Sequence, residues 1–403
     1  MSQPGPVRRA VTPLAEFLRT EAGAATLLLM AALTALFWAN SPAGDSYAAF
    51  WHHELTIGRI TEDLQHWVND GLMAIFFFVV GLEIKRELVV GELREARAAL
   101  MPVIGALGGV VAPALIYLAL VGSGPATSGW GVPIATDIAF AVGVLALLGA
   151  RASGGAKLLL LAVAIVDDLL AIAVIAIFYT DHIEWGWLAF AAGVLVAMAA
   201  LRGTFVSPWA YAVPALALWV AVLESGVHAT IAGVALGLLT PARPVHGRPV
   251  MARLVHRWHP ISAYLVVPVF ALANAGVDLR GGALETALTQ RLTWAVAIAM
   301  VLGKLIGIGG GVFAARGLGV GVLPAGMPAR QVWPVAALGG IGFTVALFIT
   351  DLAFKDQSMI DYAKVGIFVG SFAAALVGAV LLRLAGSGTA AAKSPREDPL
   401  PPR

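Results

Sequence analysis

Long runs of apolar residues, separated by short polar or charged stretches, fill this chain from Ala22 to Ala385. A helix needs about 20 apolar residues, rising about 1.5 Å each, to cross a hydrocarbon core roughly 30 Å thick. The runs are of that order and predict spans over 22–39, 68–81, 98–122, 131–149, 156–178, 186–201, 208–223, 227–239, 260–277, 292–315, 332–350 and 360–385. The pattern therefore predicts an all-α membrane protein of about 12 transmembrane helices. It divides the chain into a short Pro-containing, basic segment (1–15), a transmembrane domain (16–385) and a polar, disordered tail (386–403). Between spans, 40–67 reads as a polar connector whose 50–58 part mixes β-branched and aromatic residues and could form a short hairpin, and 240–259 reads as a basic loop.

Two spans carry residues that continuous helix does not tolerate. In the fourth, Pro133 lacks an amide hydrogen and disfavours helix before it, with Thr136 and Asp137 close behind. In the eleventh, Gly339, Gly340 and Gly342 make an unbroken helix costly. Each is the second helix of a three-helix unit, spans three to five and ten to twelve. Interrupted helices at matching places in two halves point to a transport site at the membrane midplane.

Composition sharpens the class. Hydrophobic residues make up 59% and charged residues 12% of the chain, against about 25% charged in soluble domains. The absence of Cys excludes disulfides and Cys-ligated metals, and no cofactor is expected. A net charge of +2 reflects loop Arg and gives no reason to expect nucleic acid binding. If the N-terminus is cytoplasmic, the predicted topology puts 20 of the 26 Lys and Arg inside and five outside, with Lys304 within a span. That bias predicts both termini on the cytoplasmic side.

Within the spans the strongly placed ionisable residues are Asp137, Asp167, Asp168 and Lys304. One Asp at the centre of an inserted helix costs about 2.5–3.5 kcal/mol, so the adjacent Asp167 and Asp168 should face protein or water and not lipid. Neighbours on a helix lie about 100° apart, so the two carboxylates can share a polar cavity yet meet different partners. Burial and mutual repulsion favour protonation of one of them, which makes the pair a coupled unit able to release a proton and accept a hard cation. Asp137 and Lys304 could instead compensate the partial charges at broken helix ends, about half a unit each. Lys304 could also pair with a central carboxylate.

A second cluster, GLEIKREL at 81–88 with Glu92, Arg94, Glu95 and Arg97 after it, reads either as a solvated helix end or as a proton-sensing funnel. His228, among small residues, reads as structural or as a pH switch. His256 and His259 flank Arg257 in the basic loop, and Glu54 beside His52 and His53 matches no metal motif.

Seven stretches in order, GLEIKREL (81–88), PIATDIAFAVG (133–143), AIVDDLLAI (164–172), GVHATIAG (226–233), FALANAGV (270–277), GKLIGI (303–308) and GGIGFT (339–344), resemble the NhaA family of bacterial sodium/proton antiporters. The resemblance implies an electrogenic antiporter of the bacterial inner membrane that exports Na+ and Li+ in exchange for H+ and serves pH and sodium homeostasis. It implies Asp168 as the principal cation ligand and Asp167 as a proton carrier that pairs with Lys304. It further implies inverted-topology repeats whose two interrupted helices cross, with Asp137 and Lys304 as compensating charges at the crossing and Thr136 beside the cation. Glu83, Arg86 and Glu87 would sense pH, with His228 and His256 as further candidates from their own positions in the chain, and a homodimer in the lipid bilayer is the assembly the resemblance allows. One position departs from the pattern: Val255 precedes His256 where the family carries an acid. The rival functions are a sodium-coupled symporter on the same architecture and an intramembrane aspartyl protease, which would need its two acids on two different helices.

Overall fold

The computed structural model describes residues 6–386 except 59, 181 and 202–210, and side chains from 22 onward except those of 92, 96, 97 and 150. The expected polar tail and the first residues of span 208–223 lie outside the described residues. The chain is mainly helical. Among the described residues five helices are long and apolar enough to cross a membrane: Ala22–Asn40, Ala98–Val121, Gly154–Phe178, Arg291–Gly317 and Gln357–Ala385. Trp185–Leu201, Ala212–Glu224 and Thr230–Leu239 are shorter apolar helices. The last of these has 10 residues and, at about 1.5 Å per residue, covers only half the hydrocarbon thickness.

Both interrupted spans are broken where Pro and Gly indicate. Pro125–Ile134, wound as a 3₁₀ helix, and Ile138–Leu147 meet at 46°, and Ala329–Leu338 and Phe343–Ala353 meet at the same angle. Ala135 leaves the first segment in extended backbone, the geometry that ends a helix after Pro133 has weakened it. In the second pair the break falls on 339–342, where three of four residues are Gly.

The charged GLEIKREL stretch is a helix end, as one of its two readings has it. It is helical to Val89, continuing the helix from Met73. The expected basic loop 240–259, by contrast, is corrected: Val250–Ile261 is helix and runs on through Ser262–Val266 into Val267–Asn274. Its reason is an apolar stripe of Val250, Met251 and Leu254, all buried, with Val255 and Trp258 packed against the same cluster. The Arg residues between them mask that helical period.

Among the described residues three helices contain a π-helical turn, Trp67–Leu72, Ser262–Val266 and Ala299–Gly303. Such turns are uncommon and favour functional places. Ala96–Val121 and Lys304–Gly317 pack backbone to backbone. A Cβ on Gly108 would strike the carbonyl oxygen of Gly307, and one on Gly307 that of Gly108, the small-residue contact by which membrane helices approach closely. That packing holds the Lys304 helix in place. At one end of the bundle, strands Glu54–Ile57 and Ile60–Asp63 form an antiparallel hairpin with Glu54 opposite Asp63 and Ile57 opposite Ile60.

Candidate functional site at the helix crossing

The two breaks bond to each other. Asp137 N–H donates to Ile341 O at 2.6 Å, and the Thr136 hydroxyl lies 2.7 Å from Gly339 O. Asp137 Oδ1 accepts from Phe140 N–H at 3.0 Å, capping its own half-helix. Its Oδ2 accepts from Thr344 N–H at 3.0 Å and from the Thr344 hydroxyl at 2.6 Å, so the same carboxylate serves the N-terminus of the other half-helix. One negative charge thus meets two positive helix ends, whose free amides would otherwise be buried without acceptors.

Asp167 and Asp168, on the unbroken helix Gly154–Phe178, are buried and face apart. Asp167 Oδ2 accepts from Lys304 Nζ at 2.5 Å and from the Thr136 hydroxyl at 2.6 Å. Lys304 Nζ also reaches Thr136 Oγ1 at 3.1 Å. The Thr136 hydroxyl has a single proton, so it serves Asp167 or Gly339 O, one at a time. This pair is dry: both side chains are 0% exposed.

Asp168 instead lines a cavity together with Thr136, Asp137, Thr344, Glu83 and His259. The cavity offers about 70 Å³ to water-sized occupants, room for several waters at about 10–15 Å³ each. Asp168 Oδ1 is buried with no hydrogen-bond donor among the described residues, and so is Asp167 Oδ1. Buried carboxylate oxygens are rarely left so unless a proton, ion or water completes them.

Glu83 and His259 approach to 3.6 Å at the cavity's open end, and Arg86 and Glu87 stand 3.6 Å apart one turn further along the same helix. Of the two loop histidines, it is His259 that reaches the cavity, whereas His256 is exposed. The stripe Met251, Leu254, Val255 and Trp258 carries that signal, because His259 lies four residues after Val255 on the inward face, and His256 lies with Arg253 and Arg257 on the outer one. His228 lies away from this funnel. Its Nε2 is 2.6 Å from Tyr179 O, beyond the far end of the Asp167 helix. His52 is 3.2 Å from Asp63 across the hairpin base.

A family model described as Na+/H+ antiporter 1 matches residues 15–382. This chain belongs to the NhaA antiporter family. It is 46% identical to the Na+/H+ antiporter NhaA 1 of Erythrobacter litoralis over 94% of this chain and 95% of that one. Identity is 45% to NhaA 3 of Frankia alni (99% of this chain, 95% of that one) and 45% to NhaA of Serratia proteamaculans (92% and 97%). The structure draws five residues singled out by the NhaA resemblance, Thr136, Asp137, Asp167, Asp168 and Lys304, into one cluster. Thr344, inside the GGIGFT stretch, joins them as the second residue bonded to Asp137. Sequence reasoning passed over it because its role depends on the crossing itself, not on local pattern.

Proposed function

We propose that this protein is an electrogenic antiporter that exports Na+, and Li+ as a smaller hard cation, from the cytoplasm in exchange for protons. On this reading it has twelve spans in two inverted repeats, with both termini and the Glu83 end of the cavity cytoplasmic, as the Lys and Arg bias suggests. The observation that carries it is Asp168, which lines the cavity at the crossing of two broken helices and whose buried Oδ1 has no donor among the described residues. A carboxylate there can hold a proton or a hard cation, but not both.

In the cycle, Na+ entering past Glu83 and His259 displaces a proton from Asp168. Asp167 trades its bond to Lys304 for a share of the cation or a proton. The site then turns outward and protons return. If more than one proton moves per cation, positive charge flows inward with the protons, and the membrane potential assists export by about 2.3 kcal/mol per charge per 100 mV. The symporter alternative needs space for an organic solute; the cavity's roughly 70 Å³ falls far below the approximately 300–1,000 Å³ of small-molecule sites.

The test is reconstitution in liposomes under an imposed pH gradient, with internal pH followed by a fluorescent reporter. Na+ and Li+ should dissipate the gradient and K+ should not, and Asp168→Ala should remove the response. A full response in Asp168→Ala refutes the site.

A further inference from the structure

Three helices that line the cavity repeat one vertical order of side chains. The helix ending at Val89 carries Glu83 at the cavity mouth, Phe77 below it and Asn69 near the hairpin end. Helix 250–274 carries His259, Phe270 and Asn274 in the same sequence of levels, and Phe343–Ala353 carries Thr344, Phe348 and Asp351. The rings of Phe77 and Phe270 stand 5.6 and 6.3 Å from that of Phe348. Phe348 is fully buried, so an apolar layer closes the site on the side away from Glu83.

Beyond that layer the three helices converge again, on polar groups. Asp351 lies seven residues after Thr344, two turns along the same face and about 10 Å further on. Its Oδ2 accepts from Asn69 Nδ2 at 3.2 Å. Asn69 and Asn274 are paired through Asn274 Nδ2 to Asn69 Oδ1 at 2.8 Å, and Gln65 Nε2 donates to Asn274 Oδ1 at 2.9 Å. Lys364 Nζ stands 3.6 Å from Asp351 Oδ1, with the two side chains 4% and 15% exposed. That is too long for a hydrogen bond, so the lysine neutralises the carboxylate without engaging it. The Asp167–Lys304 pair shows the same combination of acid, lysine and a neutral polar side chain, but drawn tight.

A carboxylate beside two carboxamides, with a loosely held ammonium as a competing charge that can leave, suits a hard monovalent cation. Turning the Asn69 carboxamide over would present its oxygen in place of the N–H it now gives Asp351. We propose that Asp351, with Asn69 and Asn274, forms a second cation station on the hairpin side of the Phe348 layer, occupied when Lys364 swings away. The inference rests on the antiport reading above and adds to it a stopping point between the crossing and the outer surface.

The experiment titrates Na+ separately from each face, in right-side-out and everted vesicles of cells lacking their own sodium/proton exchangers, and reads Na+-driven proton movement. Asp351→Asn should raise the half-saturating Na+ concentration at the outer face about tenfold, the scale of one lost charge-assisted contact, while the inner-face value stays within about twofold. Lys364→Met should lower the outer-face value several-fold, and it decides alone if Asp351→Asn does not reach the membrane. No shift at the outer face, equal shifts at both faces, or shifts of the same sign in both variants overturn the station. Wild-type vesicles without Na+-driven proton movement from either face would instead overturn the antiport reading itself.

Discussion

The two interrupted helices bend by the same 46° yet differ in how their broken ends are satisfied. The Pro125–Leu147 pair has a carboxylate in its break, and the Ala329–Ala353 pair has glycines and no charge. The second break needs no acid because Asp137 reaches across and accepts from Thr344. On the unbroken helix beside it, Asp168 has the same side chain and nearly the same burial, but one of its oxygens meets no donor among the described residues. Three carboxylates at one crossing therefore meet three different surroundings. Asp137 caps helix ends, Asp167 pairs with a lysine, and Asp168 lines the cavity.

Substitutions can break that contrast. Asp137→Ala strands donors of both half-helices and should cost about 3–5 kcal/mol of stability, from several buried donors at about 1–2 kcal/mol each. Asp137→Asn keeps an acceptor and should recover roughly half of that loss, as read by chemical unfolding in detergent. Next comes Lys304→Met, which leaves Asp167 buried and unpaired at a cost of about 3 kcal/mol. Adding Asp167→Asn should return most of it, and a double variant no more stable than the single one would argue against the pair as drawn. Thr344→Val, which removes only the hydroxyl bond to Asp137, should cost about 1–2 kcal/mol.

The smallest effect belongs to the hairpin base, where Asp63 meets His66 at 2.7 Å and His52 at 3.2 Å. Partial burial would raise the Asp63 carboxyl, but hydrogen bonds from His66 and His52 outweigh it and leave it below the usual carboxylate range. Burial likewise opposes the His66 imidazolium, and the Asp63 carboxylate overcomes it and holds that ring above its ordinary value. Asp63's contribution is lost as pH falls through its lowered value, and that of His66 as pH rises through its raised one. Hairpin amides should thus be better protected from hydrogen exchange at about pH 5 than at about pH 8, relative to intrinsic rates. Both imidazoles are largely exposed, so added salt should shrink the difference.

Much of this was legible before any coordinates. Apolar runs located five helices of spanning length among the described residues, Pro133 and the Gly339–Gly342 cluster located the breaks, and the scarcity of charge within the predicted spans singled out Asp137, Asp167, Asp168 and Lys304. What stayed hidden was of two kinds. One was a helix disguised as a loop: in 250–261 Arg and His alternate with the stripe, so average polarity concealed the period and made His256 look equivalent to His259. The other was contact across the chain. Asn69 meets Asp351 282 positions away and Asn274 205 positions away, and no local pattern in an amide or a helix-end acid announces such a partner. The direction in which Asp168 points is of the same kind, since a helix of apolar neighbours constrains it only to avoid lipid.

The central claim is that Asp168 holds a proton which sodium displaces. It is tested most directly by adding Na+ to the purified protein in weakly buffered detergent solution at alkaline pH and measuring the protons released. The account predicts release by the wild type and by Thr344→Val, and none by Asp168→Asn. Undiminished release from Asp168→Asn would contradict it.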